Sequence, residues 1–182
     1  MPNWCANRLE VSGSKKDIEA LLKFIEGKDE DGKNMPFDFE KVLPTPPGLM
    51  GVTAPNRDDA LAKEMKKKYG APDWYEWRLA NWSTKWNLGK ETNLDVSPDG
   101  ELATFSFDTA WSSPRGIINA LGLKFPKLNF TLTYCESGMC FAGVYEVKGK
   151  KINDEYYEAS KQKNAYDRIA EEFGLVFDEE EV

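Results

Sequence analysis

The sequence predicts an α+β fold: one antiparallel sheet with amphipathic helices packed on a single face. Three observations carry this. Stretches of apolar and polar alternation recur near both ends of the chain, helical periodicity follows the first and third of them, and a Ser-Pro-Asp-Gly turn joins the two middle ones. The order is strand, helix, strand, strand, helix, strand, the split βαβ arrangement.

Residues 3 to 11 form the first predicted strand, with Cys5, Asn7, Leu9 and Val11 on one face and Trp4, Ala6, Arg8 and Glu10 on the other. Ser14 then has the character of an N-cap. Asp17 completes a capping-box-like pattern, and Ile18, Leu21, Leu22 and Ile25 follow at helical spacing up to Gly27. From Gly27 to about Gly89 the pattern loosens, and this segment is read as an insertion. It holds a charged turn, a proline-rich stretch from Leu43 to Gly48, a lysine-rich helix from about Arg57 to Tyr69, and a tryptophan segment. Thr92 to Val96 and Glu101 to Phe107 flank Ser97-Pro98-Asp99-Gly100 and predict a hairpin. Ser113 and Pro114 open a helix carrying Ile117, Ile118 and Leu121, with Gly122 expected to close it. Leu128, Phe130, Leu132 and Tyr134 alternate with polar residues, and Phe141 to Val147 pairs back after a turn at Glu136 to Met139. A last helix is expected from about Asp154 to Phe173, ahead of an acidic end at Asp178 to Glu181. The whole, 1–182, reads as one domain, with the insertion at about 27–89 and an appended helix and tail at about 153–182.

Length and composition narrow the function. A chain of 182 residues, 41% hydrophobic, buries a core without disulfides or metal. The start of the chain lacks a basic and apolar leader, and no apolar run approaches a bilayer span of about 20 residues. The expectation is a soluble, cytoplasmic protein with no membrane partner. Three cysteines, an odd number, fit reduced thiols. The absence of histidine excludes His-dependent triads, His acid/base catalysis and imidazole metal sites. A net charge of −7 disfavours nucleic acid, whose nonspecific binding draws on Lys and Arg.

The most informative segment runs from Asp73 to Trp86 and holds Trp74, Trp77, Trp82 and Trp86, four of the six tryptophans. As a helix over 73 to 82, it gathers Trp74, Trp77, Asn81 and Trp82 on one broad face, with Arg78 placed to stack on an indole. Aromatic stripes at helical spacing are usually core, so most of this face is expected to pack on the side of the sheet that the crossover helices leave open, beside Trp4 and Trp111. Tryptophan is also enriched at binding hot spots. The candidate binding surface is therefore Trp74, Trp77, Arg78, Trp82, Lys85, Trp86 and Trp111, with exposure expected at the rim, at Arg78 or Lys85.

Other constellations say less. The segment from Phe107 to Pro114 leads into a helix N-terminus, where Asp108, Ser112 or Ser113 is expected to cap the free N–H groups rather than leave them to an anion. Cys135 and Cys140 flank a four-residue turn, with Cys5 a conceivable third sulfur, but a zinc site takes about four ligands. No metal and no cofactor are expected. Asp73, Glu76, Asp108 and Glu136 are not paired by any spacing, so no catalytic residues are assigned.

At Pro2-Asn3-Trp4-Cys5-Ala6-Asn7, Asp73-Trp74-Tyr75 with Asn81-Trp82-Ser83-Thr84-Lys85-Trp86, Phe107-Asp108-Thr109-Ala110-Trp111, and Glu136-Ser137-Gly138-Met139, the chain resembles the YubB family of phage and plasmid proteins. The resemblance covers roughly residues 1 to 148 and implies a ferredoxin-like domain without established enzymatic activity. Ser83 and Ser137 stand where that family often has glycine and proline. The resulting expectation is a non-enzymatic accessory protein of a mobile element that binds a host or element-encoded protein, such as a host-defence component. The alternative is a nucleic-acid or nucleotide-binding domain of RRM-like topology, with Tyr134, Phe141 and Tyr145 offered for stacking. Oligomeric state is not read from the sequence.

Overall fold

A computed structural model describes residues 3–29, 31–88 and 91–175. Its centre is a six-stranded antiparallel sheet. The strands are β1 (Trp4–Ser12), β4 (Asn93–Val96), β5 (Leu102–Ala110), β6 (Asn129–Glu136), β7 (Phe141–Lys148) and β8 (Lys151–Glu158). Two short strands, β2 (Gly27–Lys28) and β3 (Asn34–Met35), form a separate ribbon. The helices are α1 (Lys15–Ile25), α2 (Phe39–Val42), α3 (Pro47–Met50), α4 (Asp59–Tyr69), α5 (Trp74–Trp82), α6 (Arg115–Lys124) and α7 (Ala159–Glu172). The order β4-β5-β1-β6, with α1 and α6 as crossovers, is the ferredoxin-like arrangement, and β7 and β8 extend it beyond β6. Among the described residues no helix is long and apolar enough to cross a membrane.

Local chemistry explains most boundaries. The Ser14 side chain accepts from the Asp17 N–H at 3.2 Å and caps α1, which buries Ile18, Leu21 and Ile25. Asp58 caps α4 by accepting from Ala60 and Leu61, and Gly70 closes it in the left-handed conformation. Gly122 does not end α6. It lies inside the helix, where an added Cβ would run into Val147, so its role is close approach to β7.

The expected last helix begins later than its sequence pattern implied, because residues 151–158 form β8. Lys148 pairs with Lys151 across a two-residue turn whose first residue, Gly149, has φ 59°, as a hairpin turn of this kind requires. β8 is an edge strand with most residues exposed, so it lacks the alternation that marks a half-buried strand. The expected acidic end at 178–181 and the insertion boundary at 89 lie outside the described residues.

The inner face of the sheet carries Leu9, Val11, Phe105, Phe107, Phe130, Leu132, Tyr134, Tyr145 and Val147, all buried in one core with α1 and α6. The insertion joins this same layer, which corrects the expectation that it covers the opposite face. Phe37 packs against Phe105 and Phe107 with ring centres 5.4 and 5.8 Å apart, Phe39 lies 5.1 Å from Phe37, and Trp82 lies 5.7 Å from Phe39. α2 meets both α1 and α6, and α5 meets α6, so the insertion fills the inner layer where those helices leave β5 uncovered. The opposite face is occupied in part by α7, whose Tyr166, Ile169 and Ala170 bury Cys135 and Ala142. Arg8 on that face pairs with Glu172 and lies over the Phe173 ring.

Candidate functional site

Asp73 opens α5 by accepting from the Glu76 N–H, while its other oxygen accepts from the Asn56 N–H, both at 3.0 Å. One turn later Trp77 is buried and meets Trp82 edge to face. Trp82 is fully buried and donates its indole N–H to the Leu43 carbonyl at 2.8 Å. Trp74 is half-buried.

Arg78 is not a rim residue. Its guanidinium lies 4.5 Å from the ring centre of Trp82 and 5.2 Å from that of Trp74. It bonds Glu40 at 2.7 Å, the Thr45 hydroxyl at 2.9 Å and the Lys85 carbonyl at 3.4 Å. With a side chain only 12% exposed, it pins the proline-rich stretch to α5 instead of offering a free charge. Its partners stand 38 and 33 residues away in sequence, beyond the reach of local spacing.

After α5 the chain turns at Ser83, whose φ of 68° ends the helix in the left-handed region. There it docks on the link between β5 and α6. Thr84 donates to the Ala110 carbonyl at 3.0 Å, Ser112 donates to the Ser83 carbonyl at 2.5 Å, and Ser83 accepts from the Gly116 N–H at 3.3 Å. The α6 N-terminus is thus served by a side chain of the tryptophan segment, and no local side chain caps it. Gly116 is required by proximity, since a Cβ there would overlap the Asn81 carbonyl.

This docking swings Trp86 out to the surface at 39% exposure, 6.2 Å ring to ring from Trp4, which is 52% exposed. The two indoles form one wall of a cleft of about 610 Å³ that is completed by Asn87, Glu91, Thr92, Asp108, Thr109 and Ala110. The cleft lies at the edge of β5 just past the point where β4 stops pairing, opposite Ser106. Partial burial, and then the nearby Glu91, push the Asp108 carboxyl above its ordinary range. Lys85 holds its ammonium 4.1 Å from the Trp86 ring centre. Trp111 is 41% exposed with φ 71°, and its backbone N–H donates to the Asn3 carbonyl at 3.0 Å.

Of the candidate surface, then, Trp77 and Trp82 belong to the core, Trp74 and Arg78 border it, and Lys85, Trp86 and Trp111 face outward. Sequence reasoning left Trp4, Glu91 and Asp108 off the surface. The register Trp4 opposite Ala110 is the feature that brings them to Trp86, and it is a property of strand pairing.

The remaining carboxylates do not converge. Asp73 caps α5, and Glu136 accepts from the N–H groups of Gly138 and Met139 at 2.8 and 2.6 Å. Cys5 lies on the inner face and Cys135 on the outer one, so they cannot share a ligand, while Cys140 is exposed in the turn. Burial raises the Cys5 thiol far above its ordinary value and pushes the Cys135 thiol up to about 11. In the native protein a chromogenic disulfide reagent is therefore expected to titrate one fast thiol, and three after denaturation. Cys140→Ser removes the fast one. A second fast thiol in the native state would show that one of the buried cysteines is accessible.

The fold resembles the crystal structure of a protein Api92 from Yersinia pseudotuberculosis, with a TM-score of 0.53 over 85% of this chain and 98% of that one. At 9% identity the likeness is one of fold alone. No curated protein matches the chain. The resemblance to the YubB family is overturned by these findings, because the matching family is a different one, and the mobile-element setting drawn from it loses its basis. The model of that family, described as the ferredoxin-like domain in Api92-like protein, matches residues 81–176, more than half of the chain, and the chain belongs to this family.

Proposed function

We propose that the protein is a non-enzymatic binding protein that engages a segment of a partner protein at the cleft between Trp4, Trp86 and Asp108. The observation that carries this reading is the split fate of the tryptophans. Trp77 and Trp82 are spent on the core, while Trp4 and Trp86 stand exposed beside each other over a cleft. Adjacent exposed indoles leave a large apolar area in water, and covering such area is a common source of binding energy. Asp73 and Glu136 are both engaged by backbone N–H groups, which supports a role in structure for them instead of in catalysis. The base-stacking alternative draws little from Tyr134, Phe141 and Tyr145, whose rings lie in the helix-covered core.

The test is to pan the immobilised protein against a displayed library of random peptides. Wild-type protein is expected to enrich peptides that the Trp4→Ala, Trp86→Ala double variant does not retain, with an unchanged thermal midpoint confirming that the variant is folded. Equal enrichment by both, or none by either, ends the reading. Retention of single-stranded RNA in a Trp4-dependent manner would favour the nucleic-acid alternative.

A further inference from the structure

We propose that the Trp4/Trp86 cleft captures an arginine side chain of the partner, with the indoles as its stacking surface and Asp108 and Glu91 as its counter-charges. This rests on the binding reading of the same cleft and names what the cleft selects.

The described lining holds two indoles, two carboxylates and small or amide side chains, and no basic residue. Neither Asp108 nor Glu91 belongs to an ion pair among the described residues. The site is therefore complementary to a cation that also presents a flat face, and guanidinium is such a group, since it stacks on rings and bonds carboxylates through a planar fork.

The molecule holds an internal precedent. Arg78 lies against Trp74 and Trp82 and is held by Glu40, which is two indoles, a carboxylate and a guanidinium. The cleft repeats this donor set at Trp4, Trp86, Asp108 and Glu91 without the guanidinium. Lys85, which does not line the cleft, shows that the Trp86 ring carries a cation on its surface.

The ladder between β4 and β5 stops at Asn93 and Ser106, and the chain's own Glu91 and Thr92 lead into β4 beside Asp108, so the cleft takes a side chain between its indoles and carboxylates and not a further strand. The net charge of −7 favours a basic partner at long range.

The test uses fluorescein-labelled acetyl-Thr-Val-Arg-Val-Thr-amide and its lysine, citrulline and glutamate counterparts, titrated into the full chain and followed by anisotropy. The arginine peptide is expected to bind most tightly. Citrulline keeps the shape without the charge and is expected to lose about tenfold or more in affinity. Asp108→Asn, Glu91→Gln and Trp86→Ala are each expected to weaken the arginine peptide while leaving the thermal midpoint unchanged. Equal binding of the arginine and citrulline peptides, no binding of the arginine peptide, or binding indifferent to Asp108→Asn overturns the proposal. If panning recovers Trp86-dependent peptides without basic residues, this inference falls and the binding reading stands. If panning recovers none, both fall.

Discussion

Trp82→Ala is expected to lower the unfolding free energy by about 4 kcal/mol, the range found when a large aromatic side chain is deleted from a packed core. Trp82 is fully buried and joins three parts of the molecule. It meets Phe39 of α2 and Trp77 of its own helix edge to face, and its N–H closes on the Leu43 carbonyl. Alanine removes the ring, opens a cavity between α2 and α5, and leaves that carbonyl without its donor. Urea unfolding followed by far-ultraviolet circular dichroism measures the loss. Trp86→Ala is the control, and as a change at an exposed side chain it should cost no more than about 1 kcal/mol. Equal losses for the two variants would mean that the division of this segment into a buried part and an exposed part is wrong.

Arg78→Met is expected to cost about 3 kcal/mol, because removing one member of a mostly buried ion pair leaves the other without its counter-charge. Glu40 keeps the Thr45 N–H at 2.6 Å and the Thr45 hydroxyl at 2.7 Å, which holds the loss to the lower end of the range for such pairs. Methionine retains some of the packing on Trp74 and Trp82 but none of the fork. Arg78→Lys is not expected to restore stability, since an ammonium cannot reach Glu40, Thr45 and the Lys85 carbonyl together. Adding Glu40→Gln to Arg78→Met should recover about 1 kcal/mol by removing the stranded charge. A single Arg78→Met variant within about 0.5 kcal/mol of wild type would show that the pair contributes nothing.

These two residues also show where local reasoning stops. The α5 helix is legible from the spacing of Trp74, Trp77 and Trp82, though not its cap at Asp73, and burial is the fate of Trp77 and Trp82. Arg78 was misplaced to the rim because Glu40 and Thr45 belong to a stretch whose path periodicity does not describe. β8 went unread for a related reason. An edge strand exposed along most of its length has no apolar face to produce alternation, and its one strong local signal is Gly149 at the turn.

The side chosen by the insertion needed the folded sheet. Phe105 and Phe107 lie on the inner face of β5, which α1 and α6 do not fully cover, and Phe37, Phe39 and Trp82 complete that layer. On the outer face, α7 brings its own apolar side to Cys135 and Ala142. Both surfaces of the sheet found an apolar partner in the chain, and nothing in either segment's own pattern says which face it takes.

By itself the sequence determined the class of fold, its central strands, the capped helix α1, the lysine-rich helix α4, the tryptophan helix and the exclusion of histidine chemistry, because these depend on neighbours within a few residues. The tertiary structure decided which indoles are core and which stand at the surface. Trp86 is adjacent in sequence to the segment that supplies Trp82, yet it emerges beside Trp4 because Ser83 turns the chain and β1 pairs with β5 in the register that sets Trp4 opposite Ala110. That pairing joins residues about a hundred positions apart, and only the closed sheet brings them to one cleft.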